Sequence, residues 1–161
     1  MTSEELKTLL KLAPHPVEGG WFRRTYTSST TLETPRGARS AATAIYYLLE
    51  PGTFSEMHML TSDEIFHFYL GDPVEMLQLH PDGSSAVFTL GPDLAAGQHV
   101  QLTVPAGVWQ GTRLLPGGKL ALLGCTVTPG FEFDDYSSGS YADLAAKCPA
   151  QAERIRALTH N

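Results

Sequence analysis

The chain has 161 residues, of which 42% are hydrophobic and 17% charged. That size buries about two-thirds of the surface an unfolded chain exposes, and the composition excludes a disordered protein. A net charge of −6 excludes a general nucleic-acid binder, which needs a basic face to displace counterions.

The first 11 residues carry charges throughout and lack the apolar core of a signal peptide. No run in the sequence approaches the ~18 apolar residues of a membrane helix. Cys125 and Cys148 are too few for a disulfide framework, so the expected setting is a reducing, cytoplasmic one. Thr2 and Glu5 have capping-box spacing, and Leu6, Leu9, Leu10 and Ala13 follow as a helical stripe that Pro14 and Pro16 end.

A Gly19-Gly20 loop then leads into short strands predicted near 21–28, 40–50, 54–59, 64–70, 74–80, 85–90, 98–104, 108–114 and 119–128. Turns fall at Pro51-Gly52, Gly71-Asp72-Pro73, Pro81-Asp82-Gly83 and Pro116-Gly117-Gly118. Strands at this spacing with no helices between them predict a jelly roll. Two short helices are predicted near 140–147 and 149–158, the second with Pro149 in its first turn. The expectation is one mainly β domain over 1–161, with a barrel at about 20–130 and helices at about 140–158.

Chemistry concentrates around His58 and Glu64. His58 ends one predicted strand and Glu64 opens the next, so antiparallel pairing of those strands would put both side chains on one face. Strand period places Glu64, Phe66 and Phe68 together, with Ile65, His67 and Tyr69 opposite. A carboxylate among aromatic rings has its pKa raised by desolvation and lowered by a nearby imidazolium. His58 and Glu64 read as a general base with its partner, or as a satisfied polar pair bracing a loop.

Gln110, just after the Pro105-Ala106-Gly107 turn, can donate and accept hydrogen bonds to a polar substrate. Trp109 beside it reads as core or interface. Gln78 is either part of a strand wall or exposed. Arg23 and Arg24 are adjacent, so only one faces a cavity; Arg23 is assigned to a substrate anion. His67 reads as an interface residue or a bond to a neighbouring strand. His15, His80, His99 and His160 receive no chemistry. No cofactor is predicted, because one nitrogen, one carboxylate and an amide make a poor metal site. A weakly bound divalent ion would use His58, Glu64 and Gln110.

The segment from Gly52 to Gly71 resembles the first cupin motif, G-x5-H-x-H-x3-E-x6-G, with Leu60 at the second histidine. Pro105 to Gln110 resembles the second motif, with Gln110 in place of its histidine. With the blocks His15–Tyr26, Ser55–His58, Ser62–Pro73, Val104–Gln110 and Gly124–Asp134, the chain resembles the cupin_5 family of the RmlC-like cupin superfamily. That resemblance implies a cupin double-stranded β-helix, a jelly-roll barrel with short N-terminal and C-terminal helices, normally a homodimer with a small-molecule cavity. It also implies that ligand histidines are commonly lost in the family. By likeness to dTDP-sugar 3,5-epimerases, it implies epimerase or isomerase chemistry on a polar or anionic, nucleotide-sugar-like substrate. A non-catalytic metabolite binder and a weakly metal-dependent oxygenase or isomerase are the alternatives. His67 matches a histidine typical of the family, which adds it to the substrate-binding candidates Gln110, Arg23 and Gln78. Arg24 stands where relatives commonly have an acidic residue, and Met59 where a basic one is frequent.

Overall fold

The computed structural model describes residues 1–160. In chain order the elements are α1 (Ser3–Leu10), β1 (Ala13–Pro14), β2 (Trp21–Thr27), β3 (Thr31–Thr34), β4 (Gly37–Ser40), β5 (Thr43–Leu49), β6 (Phe54–Leu60) and β7 (Asp63–Gly71). These are followed by β8 (Val74–Leu79), β9 (Ser85–Leu90), β10 (Gln101–Val104), β11 (Trp109–Leu114), β12 (Ala121–Thr128), β13 (Tyr136–Ser138), α2 (Tyr141–Lys147) and α3 (Ala152–Ala157).

The strands form a six-stranded sheet, β1-β2-β5-β12-β7-β10, and a five-stranded sheet, β13-β6-β11-β8-β9. Tyr47, Phe66 and Leu123 from the first sheet meet Val74, Met76 and Leu90 from the second in one buried cluster. Alternation along each strand explains this, since every second side chain enters the space between the sheets. Both sheets keep free edges, so the arrangement is a jelly-roll sandwich rather than a closed ring of strands. On the outer face of the five-stranded sheet, Met57, Leu77 and Leu79 pack against Leu144, Ile155 and Leu158 from the C-terminal helical region. Trp109 joins that layer, facing away from the interior.

The predicted capping box is present: Glu5 N–H donates to Thr2 Oγ1, and Thr2 N–H donates to Glu5 Oε2. The helix stops earlier than the prolines require, because Lys11 adopts left-handed geometry with φ 53° and ψ 48°. Ala13 therefore leaves the expected stripe for β1, and Leu9 is exposed. Leu6 carries the docking face, packed with Leu48, Leu120 and Leu122, and Leu10 and Leu12 flank it.

Two predicted strands change. The strand at 40–50 divides into the end of β4 and the whole of β5, because the backbone breaks at Ala41 and Ala42 to bond Thr30 and Ser28. The predicted strand at 98–104 forms only from Gln101. The β3–β4 hairpin and β13 were not expected. Exposed Thr31, Leu32 and Glu33 carry no burial alternation for the period test to detect.

Candidate functional site: a cavity between the two sheets

The predicted pairing of the strands carrying His58 and Glu64 does not form. The loop Thr61-Ser62 carries the chain from one sheet to the other, so β6 and β7 lie in different layers. His58 and Glu64 are instead brought together from opposite walls, both lining one cavity and both buried. The cavity offers about 50 Å³ to the centres of water-sized molecules. Since a single water needs roughly 10–15 Å³ on that measure, it has room for several waters or the reacting end of a small ligand.

β6 orients His58 through its own backbone. His58 Nδ1 lies 2.7 Å from Glu56 O, and a carbonyl oxygen only accepts. The ring proton is therefore on Nδ1, which leaves Nε2 with a free lone pair at the cavity. Tyr136 of β13 stacks on the imidazole at 4.9 Å between centroids and 12° between planes, fixing its plane. Tyr136 in turn donates its hydroxyl to Glu56 Oε1 at 2.8 Å.

Register explains the amides. Gln110 is paired with His58 on one side and Gln78 on the other, so the three form a row on the inner face of the five-stranded sheet. Gln110 Nε2 crosses the interior and donates to Glu64 Oε2 at 2.6 Å. Gln78 is buried, but its amide is occupied by Thr103 O at 3.2 Å, and it does not line the cavity. Glu64 is buried, and that burial pushes its carboxyl up to about 7, with the charge of Glu18 adding to the rise. Protonation of His58, when it occurs, and the Gln110 hydrogen bond pull in the opposite direction without cancelling that effect.

Two more residues assigned to substrate lie elsewhere. Arg23 pairs with Tyr46 on the outer face and sits over that ring, 5.6 Å from its centroid. Arg24, paired with Ile45, is the guanidinium that lines the cavity, and it donates to Phe131 O at 3.1 Å. His67 also faces outward, because no bulge displaces it from alternate parity with Glu64 and Phe66. It contacts Thr126 Oγ1 at 3.2 Å and Gln101 Nε2 at 3.3 Å. Met59 points outward as well, away from the cavity.

Sequence reasoning missed His15, Glu18 and Tyr136, all of which line the cavity. The Gly19-Gly20 pair is what brings the first two in. Both glycines have positive φ, and a Cβ would collide with Phe54 O at Gly19 and with Leu48 O at Gly20. The loop can therefore lie flat across β5 and β6. The block from His15 to Tyr26 was the available signal, but it did not say that the loop folds inward.

The donor set does not fit a metal. Leu60 lines the wall with no ligand atom, and Gln110 directs its N–H at the one carboxylate beside it. Among the described residues no three His, Cys, Asp or Glu side chains are placed to share an ion.

A family model described as Cupin_5, Cupin superfamily (DUF985), matches residues 4–138. The chain belongs to the Cupin_5 family. An uncharacterized protein of Saccharomyces cerevisiae is 31% identical to this cupin over 134 residues, 74% of this chain and 67% of the yeast protein. Two solved structures are similar over nearly their whole length. A hypothetical protein from Leishmania major has a TM-score of 0.92 at 28% identity, with 100% of each chain covered. A protein from Shewanella oneidensis has a TM-score of 0.90 at 34% identity, with 99% of this cupin and 98% of that chain covered. Oxalate decarboxylase from Bacillus subtilis, at 16% identity and a TM-score of 0.58, shares the fold over 92% of this cupin and 37% of its own chain.

Proposed function

We propose that this cupin moves a proton at a carbon next to a carbonyl, as a sugar epimerase or isomerase does, with His58 and Glu64 as the acid–base pair. One observation supports this most strongly. An imidazole with a free Nε2 faces the same cavity as a carboxyl raised to about 7, and the two project from opposite sheets. A proton acceptor and a proton donor on opposite sides of a bound carbon are what stereochemical inversion needs.

In this reading His58 Nε2 takes the proton from carbon, and the C–H electron pair moves into an enolate. Glu64 delivers its proton to the carbon from the other wall. The two groups then return to their starting protonation by exchange with each other and solvent, and nothing is oxidised or reduced. Arg24 and Phe133 are exposed yet line the cavity, so they mark its mouth. A guanidinium there suits a carboxylate or phosphate on the part of the substrate left outside. The small interior takes only the reacting end, consistent with a sugar-like anion held by its tail. We take the homodimer that the family resemblance implies as the working assembly, with the outer face of the six-stranded sheet, where Tyr69 is exposed, as its contact surface.

The test is incubation of the protein in D₂O with a panel of phosphorylated and nucleotide-linked aldoses and keto sugars, followed by mass spectrometry. The expected result is one deuterium gained, above the protein-free control, at the position next to the carbonyl of at least one compound. Thermal protection by a compound that acquires no deuterium would replace this reading with that of a metabolite binder.

A further inference from the structure

The loop before β2 places a second imidazole in the cavity, and its hydrogen bonds give it the opposite tautomer to His58. The backbone N–H groups of Val17 and Glu18 point at His15 Nδ1, at 3.3 and 2.9 Å. A ring nitrogen that accepts cannot hold the proton, so the neutral ring carries it on Nε2. Burial holds the His15 pKa below its usual value, opposed by Glu18. The neutral ring is therefore the form present at neutral pH.

That Nε2–H is under-used within the protein. Glu18 Oε2 lies 3.7 Å away, beyond hydrogen-bond reach, and the other oxygen of Glu18 accepts from Ser55 Oγ. The ring is nonetheless rigidly held. It packs on Phe22 at 4.6 Å between centroids and meets Tyr47 edge-on at 6.5 Å. The His15 side chain is 5% exposed and lines the cavity, so its Nε2–H is not spent on bulk water.

We propose that His15 is the electrophile of the site, donating Nε2–H to the substrate carbonyl oxygen as that oxygen becomes an enolate. This rests on the proton-transfer reading above and assigns the residue that stabilises its charged intermediate. His58 breaks the C–H bond, the π pair of the carbonyl moves onto oxygen, and the His15 hydrogen bond strengthens as that charge grows. The N–H proton stays on His15 throughout, so the balance needs no co-reactant. A neutral imidazole is a closer match to a weakly acidic enol than an imidazolium would be, and over-stabilisation of the intermediate is avoided. The substrate class follows: a carbonyl compound presenting its oxygen to the His15 wall and its anionic tail to Arg24.

The test uses ¹⁵N-histidine-labelled parent protein and acetohydroxamate, a planar oxyanion mimic of an enolate. Long-range ¹H–¹⁵N spectra should show His15 as the Nε2–H tautomer, with that N–H signal moving on saturation by acetohydroxamate. His15→Phe, which keeps an aromatic ring, should weaken acetohydroxamate binding by roughly tenfold or more. An Nδ1–H tautomer, a signal unmoved at saturation, no binding by the parent, or equal binding by His15→Phe each overturns the assignment. The parent spectrum decides the matter even if His15→Phe disturbs the loop. A silent His15 signal in a protein that exchanges solvent deuterium into substrate removes this role and leaves the proton-transfer reading intact. A shifted signal in a protein that exchanges none leaves the donor site and removes that reading.

Discussion

His58→Ala should lower the rate of deuterium incorporation by roughly 10²–10⁴-fold, the range over which a positioned acid–base group acts. The fold should survive. The substitution removes one hydrogen bond, to Glu56 O at 2.7 Å, and one stacked ring, Tyr136, for a stability loss of about 2 kcal/mol. Circular dichroism should stay unchanged, with a melting temperature lower by roughly 4–8 °C. A second consequence is specific to the pairing. An imidazolium at His58 would lower the Glu64 pKa, so loss of the ring should push that carboxyl further up. Turnover equal to that of the parent would exclude His58 as the base, and a Glu64 pKa unmoved by the substitution would exclude direct coupling of the two groups.

Glu64→Gln should alter how stability depends on pH. The folded carboxyl titrates at about 7, against 4.5 for the ordinary group, so the native state binds its proton more tightly than the unfolded state. The stability this confers is fully present below pH 4.5, declines as pH rises, and is gone once pH has passed about 7. The difference amounts to about 3 kcal/mol over that window. Glutamine keeps the shape and can still accept from Gln110, but it does not titrate. Relative to the parent, Glu64→Gln should therefore gain roughly 6–12 °C in melting temperature between pH 4.5 and pH 8. Its proton transfer should be lost, and the parent's activity should fall above about pH 7 as Glu64 deprotonates. Parallel stability curves for the two proteins across this range would contradict a buried, proton-holding carboxyl.

Local signals carried much of this architecture. Glu64, Phe66 and Phe68 share the interior because strand period alone decides it, and Trp109 and Gln110 face opposite ways for the same reason. Loop direction did not have such a rule. Nothing in Thr61-Ser62 tells whether the chain turns back beside β6 or crosses to the other sheet, and the crossing is what sets His58 opposite Glu64. Arg23 and Arg24 were ambiguous because Trp21 and Phe22 are both apolar and half-buried, so the start of β2 shows no alternation to count from. His15 and Glu18 depend on a loop folding over two strands distant in sequence. Residue type recorded the glycines that permit it, but only long-range contact with Phe54 and Leu48 shows where the loop goes. Arg36 and Arg39 similarly clamp Asp135 across almost a hundred positions, tying the exposed β3–β4 hairpin to the segment that precedes β13. Local periodicity cannot see such a contact.

In the proposed chemistry a carboxyl still half protonated near neutral pH shares the cavity with an imidazole whose Nε2 is free. A ¹³C NMR titration of the Glu64 side-chain carboxyl in the folded protein tests it most directly. A midpoint near 7 is expected. A midpoint at or below the ordinary value of 4.5 would show a plain carboxylate held by Gln110 and His58, and would remove the proton donor on which the proposed chemistry depends.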